Sequence, residues 1–390
     1  MTWPCTGCRT TPPAGRDRSP GRADVSGTIA LVGAGGGVGR HALAHLLAWS
    51  VDTVRAGGRN PARLPADDPR VQVHAVDVTD AASLDAFCAG CHTVVNCAGP
   101  AATIGDKVAR AAMRAGAGYV DAAGDDVLHA AVAALPGAAD RVAVLSAGMM
   151  PGLSGLLPAY LAGQVPGARR MTGYVGGRDT FTPGAALDFL ASGDAGYGEP
   201  LAAWRDGARR SRALAARTGV PVPFFDEPVL LQPYLSTETE RLARRLGLAD
   251  VDWYSAFAGD RLPAALGAGA QQARTGADLA AAAARLCRAA ELDAFGRPRY
   301  QLLLVEVAGV AGSRVLACRG TGANALTGAA AALGALAVAA GDVPAGVHHL
   351  AEAVDPGWAV EMLRASPAVT SLHVGDGPLG AHELIEEGVA

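Results

Sequence analysis

Residues 28–40 have the sequence TIALVGAGGGVGR and decide the fold. The segment TIALV predicts a short strand that is buried on both faces, and the HALAHLLAW that follows has the apolar spacing of a helix. Glycines between a strand and a helix allow a tight turn and let backbone N–H groups approach a pyrophosphate at the helix N-terminus. We predict a dinucleotide-binding turn rather than a purely structural one. Its predicted cofactor-binding residues are Gly33, Gly36, Gly37, Val38 and Gly39.

The alternation of strand and helix patterns continues to about residue 150. Five more apolar segments lie within residues 51–59, 70–78, 92–100, 119–124 and 141–148, and helical spacing follows most of them. Strands that are apolar on both faces and alternate with helices form a parallel sheet covered on both sides. We therefore predict an α/β fold in which residues 28–165 form a Rossmann domain with a doubly wound parallel sheet.

The composition changes beyond residue 151. Of the 19 aromatic residues, 13 lie between Tyr174 and Tyr300, and longer strand patterns appear there. We predict a second α/β (α+β) domain over residues 166–323, used for substrate binding and dimerisation. Residues 324–390 are predicted to supply a C-terminal helix and tail that pack back on the Rossmann domain. Residues 1–27 have no apolar periodicity, and we expect a disordered leader there.

The overall charge excludes some partners. The chain carries 33 Lys+Arg and 37 Asp+Glu, a net charge of −4, so it offers no basic surface for nucleic acid. Lys107 is the single lysine, and Thr103 stands four residues before it. The Tyr-x-x-x-Lys pair of short-chain dehydrogenases is therefore excluded.

Cysteine content and hydropathy predict the cellular setting. Seven cysteines, an odd number at low density, favour reduced thiols in the cytoplasm. Residues 323–340 are small and apolar but are interrupted by two glycines, which predicts a packed helix rather than a membrane span. We expect no membrane partner, and a homodimer is the commonest oligomer for such a chain.

The ends of the second, third and fourth strand patterns supply further predicted cofactor contacts. Arg59 stands where an acidic residue would bind the ribose diol of NAD, and a guanidinium suits a 2′-phosphate instead. We predict NADP(H) as cofactor, the alternative being that Arg59 is a solvated surface residue. The other predicted contacts are Asn60, Asp77, Val78, Asn96, Ala98, Gly99 and Pro100.

Several motifs together resemble the saccharopine-dehydrogenase-like (saccharopine reductase) superfamily. They are GAGGGVGR, AGGRNPARL, VVNCAGP, YVDAAGD, SAGMMPGLSGLLPAYLA and GVHHLAEAVDP, and the likeness spans roughly residues 28–365. The resemblance implies an NADP(H)-binding Rossmann domain, an α/β substrate domain after the sixth strand, and a C-terminal helix that packs back. It also implies hydride transfer to or from a C–N bond of an amino-acid-derived compound.

Candidate catalytic residues follow the fifth strand pattern, because ligands of a doubly wound sheet bind beyond the carboxyl ends of its strands. We predict that Tyr119, Asp121 and Asp125 face the nicotinamide or the substrate nitrogen. The alternative is that Asp121 caps the next helix and that Tyr119 belongs to the core.

Candidate substrate-binding residues lie near the start of the second domain. Met149 is predicted to form a wall beside the nicotinamide, and Tyr174 and Arg178 follow a strand pattern in GYVGGRDT. The Arg178 guanidinium could hold a substrate carboxylate, or it could be a surface residue. No histidine pair has ligand spacing, so we predict no catalytic metal.

These expectations converge on one function with two alternatives. The leading hypothesis is an NADPH-dependent oxidoreductase that reduces an imine of a biosynthetic, amino-acid-derived small molecule. The alternatives are an enoyl (C=C) reductase of lipid or polyketide metabolism and a sensor that binds NADP(H) without catalysis.

Overall fold

The computed structural model describes residues 27–191, 196–274 and 278–382, so the predicted leader lies outside the described residues except for Gly27. The first half contains β1 (Thr28–Val32), α1 (Gly37–Trp49), β2 (Thr53–Gly58), β3 (Val71–Ala75), α2 (Ala81–Cys88), β4 (Thr93–Asn96), α3 (Ala101–Ile104), α4 (Lys107–Arg114), β5 (Gly118–Asp121), α5 (Asp126–Ala133), β6 (Val142–Leu145) and α6 (Leu153–Ala162). The predicted alternation of strands and helices is confirmed.

The second half begins with β7 (Arg170–Arg178), α7 (Pro183–Ala191), β8 (Gly198–Pro200), β9 (Ala203–Arg205), β10 (Ala208–Arg210), β11 (Arg217–Val220), β12 (Val229–Ser236), α8 (Thr237–Leu246) and β13 (Asp250–Phe257). It ends with α9 (Arg261–Arg274), α10 (Leu279–Ala294), β14 (Tyr300–Gly309), β15 (Gly312–Gly320), α11 (Ala323–Ala339), β16 (Gly346–His349), α12 (Leu350–Ala353), α13 (Pro356–Arg364) and β17 (Val369–Asp376).

A parallel sheet of seven strands forms the first layer, in the order β16-β6-β5-β4-β1-β2-β3. Its order reverses between β1 and β4, which is the point at which doubly wound sheets bind ligands. Val32 pairs with Gly57 on one side and with Asn96 on the other, and Asn96 pairs with Asp121. The carboxyl ends of these four strands therefore lie along one edge, as the Rossmann prediction requires.

A mixed sheet of ten strands forms the second domain, and α6 packs against its strands β14 and β15. Leu156, Leu157 and Leu161 of α6 are fully buried and belong to the same apolar cluster as Val175 and Trp253 of the second sheet. A helix that is apolar on all sides must be buried on all sides. This explains why the SAGMMPGLSGLLPAYLA segment joins the two domains.

The C-terminal elements return to both domains. In α11, a Cβ on Gly328 would lie 2.6 Å from the backbone nitrogen of Ala42, so α11 packs directly on α1. β16 extends the first sheet beside β6. Residues 369–376 were predicted to join it but instead form β17, which pairs with β15 in the second sheet. Across the described residues, none of the helices is long and apolar enough to cross a membrane.

Candidate functional site

The glycine turn after β1 is determined by two close approaches of the backbone. Gly33 has a φ of +81°, and a Cβ there would lie 2.8 Å from the backbone nitrogen of Ala98. A Cβ on Gly39 would collide with the carbonyl oxygen of Gly33. Only glycine at both positions lets α1 begin this close to β1 and β4.

The N-terminus of α1 is uncapped and faces the second domain. Gly36 precedes the helix without a side-chain cap, and the first turn contains no acidic residue. Helix geometry leaves the N–H groups of this turn without partners in the helix, at the positive end of its dipole. A Cβ on Gly37 would lie 2.8 Å from Nδ2 of Asn324 and 3.1 Å from Cγ2 of Thr182. This helix N-terminus suits a phosphate group. Thr182 and Asn324 lie beside it, and the sequence analysis did not predict either residue.

The end of β2 leaves two predicted residues open to solvent. Arg59 and Asn60 are exposed, and within the described part of the chain Arg59 forms no hydrogen bond or ion pair. Leu64 covers the turn, because its Cδ2 lies 2.9 Å from where a Cβ on Gly35 would be. The short 3-10 helix that precedes Leu64 brings a second exposed guanidinium, that of Arg63, which the sequence analysis missed.

At the end of β3, the Asp77 carboxylate is held by its own turn. Its Oδ1 accepts hydrogen bonds from the backbone N–H and from the hydroxyl of Thr79, at 2.9 and 2.7 Å. These bonds lower the pKa of Asp77. Val78 beside it packs against the core, so this turn is a rigid border of the predicted adenine site.

The loop after β4 lies opposite a carboxylate of the second domain. Ala98, Gly99 and Pro100 line this loop, and the Ala101 N–H donates a 2.8 Å hydrogen bond to Oδ1 of Asp188 on α7. Asp188 was not among the predicted residues. Its hydrogen bond joins α7 to the loop at the edge of the first sheet.

Asn96, at the end of β4, is buried, and its side chain forms hydrogen bonds that stabilise the loop after β4. Its Nδ2 donates to Oδ2 of Asp121 at 3.1 Å, and its Oδ1 accepts from the Ala98 N–H at 3.1 Å. Asn96 therefore supports the loop rather than projecting from it.

Tyr119 and Asp121 form a buried pair inside the first domain. Tyr119 is fully buried and donates its hydroxyl to Oδ2 of Asp121, which is 2 % exposed. Oδ1 of Asp121 accepts from the Ala123 N–H at 2.9 Å. Burial raises the pKa of Asp121, whereas the hydrogen bonds from Tyr119 and Asn96 oppose the rise. The structure places both residues in the core instead of facing a ligand, so the predicted contact with the nicotinamide is corrected.

Asp125, four residues after Asp121, is partly buried and precedes α5. Its Oδ1 caps α5 by accepting from the N–H groups of Val127 and Leu128, at 3.0 and 3.3 Å. Its Oδ2 is buried and has no hydrogen-bond partner among the described residues. Burial raises the pKa of this carboxyl group.

Two tyrosines of the second domain lie close to Asp125. Burial raises the pKa of Tyr234 to about 12, with a further contribution from the charge of Asp125. Burial also raises the pKa of Tyr197, and the charges of Asp125 and Asp188 add to this rise. The charge of Asp125 therefore acts on both tyrosines, and the charge of Asp188 acts on Tyr197.

Met149 and Tyr174, two of the predicted substrate-binding residues, each contact another part of the protein. Met149 is nearly buried, and its N–H donates to the Thr327 hydroxyl of α11 at 3.2 Å. Tyr174 stacks on Tyr254 with ring centroids 5.4 Å apart, within the second sheet.

Arg178 is neither on the surface nor free to hold a substrate carboxylate, so both interpretations of this residue are corrected. It is 3 % exposed, donates to the carbonyl oxygen of Pro298 at 2.9 Å and forms an ion pair with Glu227. Its guanidinium also lies 5.6 Å from the ring centroid of Tyr300. These partners give Arg178 a structural role in the second domain.

Comparisons with known proteins agree with this arrangement. Residues 33–133 match the family model described as NAD(P)H-binding, so the first domain is an NAD(P)H-binding domain. The fold is that of saccharopine dehydrogenase (L-Glu forming) from Saccharomyces cerevisiae, whose apo structure aligns with a TM-score of 0.64 at 14% identity and covers 90% of this chain and 100% of that one. The resemblance inferred from the motifs is thus confirmed in the fold.

Other solved structures match only about a quarter of this chain. One is a short-chain dehydrogenase/reductase (wide type) from Veillonella parvula in complex with NADP, at 20% identity and a TM-score of 0.23, covering 24% of this chain and 46% of that one. No curated protein matches the sequence.

The hydrogen bond between Tyr119 and Asp121 predicts the effect of Tyr119→Phe on stability and on coenzyme binding. Loss of the hydroxyl removes one donor from a buried carboxylate, and we expect the free energy of unfolding to fall by about 1–3 kcal/mol, with NADPH affinity unchanged. Urea denaturation and an NADPH titration measure the two quantities. Tyr160→Phe is the control, because no described residue forms a hydrogen bond with its hydroxyl. Unchanged stability of Tyr119→Phe, with NADPH affinity reduced, would contradict the structural role.

Proposed function

We propose that this protein is an NADP(H)-dependent oxidoreductase that reduces a C=N bond of an amino-acid-derived small molecule. The observation that carries the proposal is Asp125, which follows β5 and whose Oδ2 is buried with no hydrogen-bond partner among the described residues. Asp188 binds the loop after β4 through the Ala101 N–H, and we infer that a hydride acceptor binds in a cleft between these two carboxylates.

A protonated imine suits this cleft for an electrostatic reason. The iminium ion is positively charged before hydride transfer, and a partly buried carboxylate stabilises that charge more strongly than water does. Burial raises the pKa of both Asp125 and Asp188, and a bound cation would relieve this cost by favouring the ionised carboxylates. NADPH, when bound, supplies the hydride, while the protein supplies orientation and the surrounding field.

The two carboxylates count against an enoyl reductase. A neutral C=C substrate gains nothing from two acidic side chains, and their desolvation would remain uncompensated. The second alternative to a reductase is a non-catalytic NADP(H) sensor. A sensor would bind the coenzyme but would not turn over any substrate.

The proposed preference for NADP(H) over NAD(H) rests on Arg59. This side chain is exposed at the end of β2 and lacks an ion-pair partner among the described residues, and Arg63 lies in the next turn. A guanidinium binds a phosphate with paired, charge-assisted hydrogen bonds. The 2′-phosphate of NADP(H) fits this position.

Arg59→Ala tests the coenzyme preference. We expect it to weaken NADPH binding by about tenfold or more, since a hydrogen bond to a charged group contributes about 1.5–3 kcal/mol, and to leave NADH binding unchanged. Fluorescence titrations with both coenzymes measure this. Arg210→Ala, at an exposed arginine on β10 of the second domain, is the matched control. Equal weakening of NADPH and NADH would contradict the assignment.

Asp125→Asn tests the role of the carboxylate. Asparagine caps helices as well as aspartate does, so α5 is preserved while the charge is removed. We expect kcat/KM for NADPH oxidation to fall by about 100-fold, which is the usual scale for one electrostatic contact to a transition state. Stopped-flow assays with cyclic imines and with imines formed from 2-oxo acids and amines measure this rate.

The control is Asp80→Asn, because Asp80 caps α2 in the same way, accepting from the Ala82 N–H at 2.9 Å. Equal rates for Asp125→Asn and Asp80→Asn would contradict the proposed role of Asp125. Reduction of 2-enoyl thioesters in place of the imines would favour the enoyl reductase, and NADPH binding without any turnover would favour the sensor.

A further inference from the structure

Two helices that lie beyond the NAD(P)H-binding residues 33–133 approach the N-terminus of α1. Asn324, the second residue of α11, has its Nδ2 2.8 Å from where a Cβ on Gly37 would be. Thr182, just before α7, has its Cγ2 3.1 Å from the same point. Gly37 lets both side chains approach because it has none of its own. The glycine turn is therefore bordered by residues from outside the first domain.

The first turn of α1 offers backbone donors that the protein itself does not use. The Gly36 N–H bonds to the carbonyl oxygen of Gly33 at 2.9 Å. Among the described residues, the N–H groups of Gly37, Val38 and Gly39 have no hydrogen-bond partner. Gly36 is exposed, so the turn is open to a ligand. An anion bound here would satisfy backbone groups that a helix leaves free at its N-terminus.

The Asn324 amide adds further donors at the same place. Its Nδ2 carries two N–H groups, and no described residue forms a hydrogen bond with this side chain. The first N–H of α11 is already used, because that of Ala323 donates to Oδ2 of Asp179 at 2.7 Å. The alternative role of the Asn324 amide is to cap α1 through Oδ1. A negative charge placed at residue 324 distinguishes the two roles.

The charges beside the turn are compatible with a bound anion. Arg40 of α1 is exposed, and its Nε donates to the carbonyl oxygen of Gly36 at 3.3 Å, so a guanidinium lies next to the turn. Each oxygen of Asp179 accepts from a backbone N–H at 2.7 Å. Burial raises the pKa of Asp179, and these bonds and the charge of Arg299 oppose the rise. The negative charge of Asp179 is therefore compensated locally.

We propose that Asn324 binds the diphosphate of the nicotinamide coenzyme, so that the coenzyme is held between the first domain and α11. The Nδ2 donors and the free N–H groups of α1 would then bind the same negatively charged group. The diphosphate is common to NADH and NADPH, so Asn324 contributes equally to the binding of both, in contrast to Arg59. The methyl group of Thr182 borders the site. The proposal rests on the assignment of the glycine turn to the coenzyme and is independent of imine reduction.

Asn324→Asp tests the proposal by charge. Aspartate caps a helix N-terminus as well as asparagine does and interacts favourably with the helix dipole, so the fold is preserved. A carboxylate repels the diphosphate, and we expect the dissociation constants of NADPH and NADH to rise together by about tenfold or more. Asn324→Ala removes the donors without adding charge and should raise both by about fivefold. Fluorescence titrations of the full chain measure these constants, and urea denaturation verifies that each variant is folded.

Gln72→Glu is the matched control. It makes the same change from amide to carboxylate at an exposed residue of β3. Gln72 is the second residue of this strand, so it lies towards the end opposite the carboxyl edge of the sheet. We expect Gln72→Glu to leave the dissociation constants of both coenzymes unchanged.

Phosphorus-31 NMR of bound NADP⁺ is a second measurement that needs no substrate. The diphosphate and the 2′-phosphate of this coenzyme give separate signals. We expect Asn324→Ala to shift the diphosphate signals of the bound coenzyme and to leave the 2′-phosphate signal unchanged. Arg59→Ala should have the opposite effect. A shift confined to the 2′-phosphate signal in Asn324→Ala would overturn the proposal.

The titrations also separate this inference from its alternatives. Unchanged dissociation constants in Asn324→Asp, or an increase for NADPH alone, overturn the proposal, and higher stability without weaker binding identifies the amide as a helix cap. Binding of both coenzymes by the unmodified protein without imine reduction would refute the proposed function alone. Imine reduction by Asn324→Asp with unchanged affinity for NADPH would refute the role of Asn324 alone.

Discussion

The contact between Gly39 and the carbonyl oxygen of Gly33 is the constraint on which the rest of the structure depends. Because neither residue has a side chain, α1 begins within van der Waals distance of the turn that follows β1. Its uncapped N-terminus then points along the edge where the strands of the first sheet end. A larger residue at either position would move the positive end of the helix dipole away from that edge.

The other parts of the site are arranged around this edge by the second domain. The buried helix α6 joins the two apolar cores, and α7 extends back over the loop after β4, where Asp188 bonds to the Ala101 N–H. α11 packs on α1 and brings Asn324 beside the glycine turn. Both domains therefore contribute to the candidate site, the first with the glycine turn and Asp125 and the second with Asp188.

Much of this arrangement follows from local sequence, and the exceptions have physical causes. The glycine turn and the first six strands were predictable because strands that are buried on both faces need continuous apolar residues. The role of Arg178 could not be predicted from local sequence, because it depends on Glu227, which lies 49 positions later in the chain. β17 was assigned to the wrong domain because pairing with β15 depends on tertiary register rather than on its own pattern. Asp121 and Asp125 are both acidic residues near one strand end, and only the three-dimensional structure shows that Asp121 bonds to Tyr119 whereas Oδ2 of Asp125 has no hydrogen-bond partner among the described residues.

Calorimetric titration of the full chain with NADPH and with NADH, each at two temperatures, tests the central claim most directly. The account predicts saturable binding of one NADPH per chain, with NADH binding more weakly because it lacks the phosphate that the Arg59 guanidinium would contact. The absence of binding heat with either coenzyme at both temperatures would contradict the assignment of the glycine turn, and with it the function built on that turn.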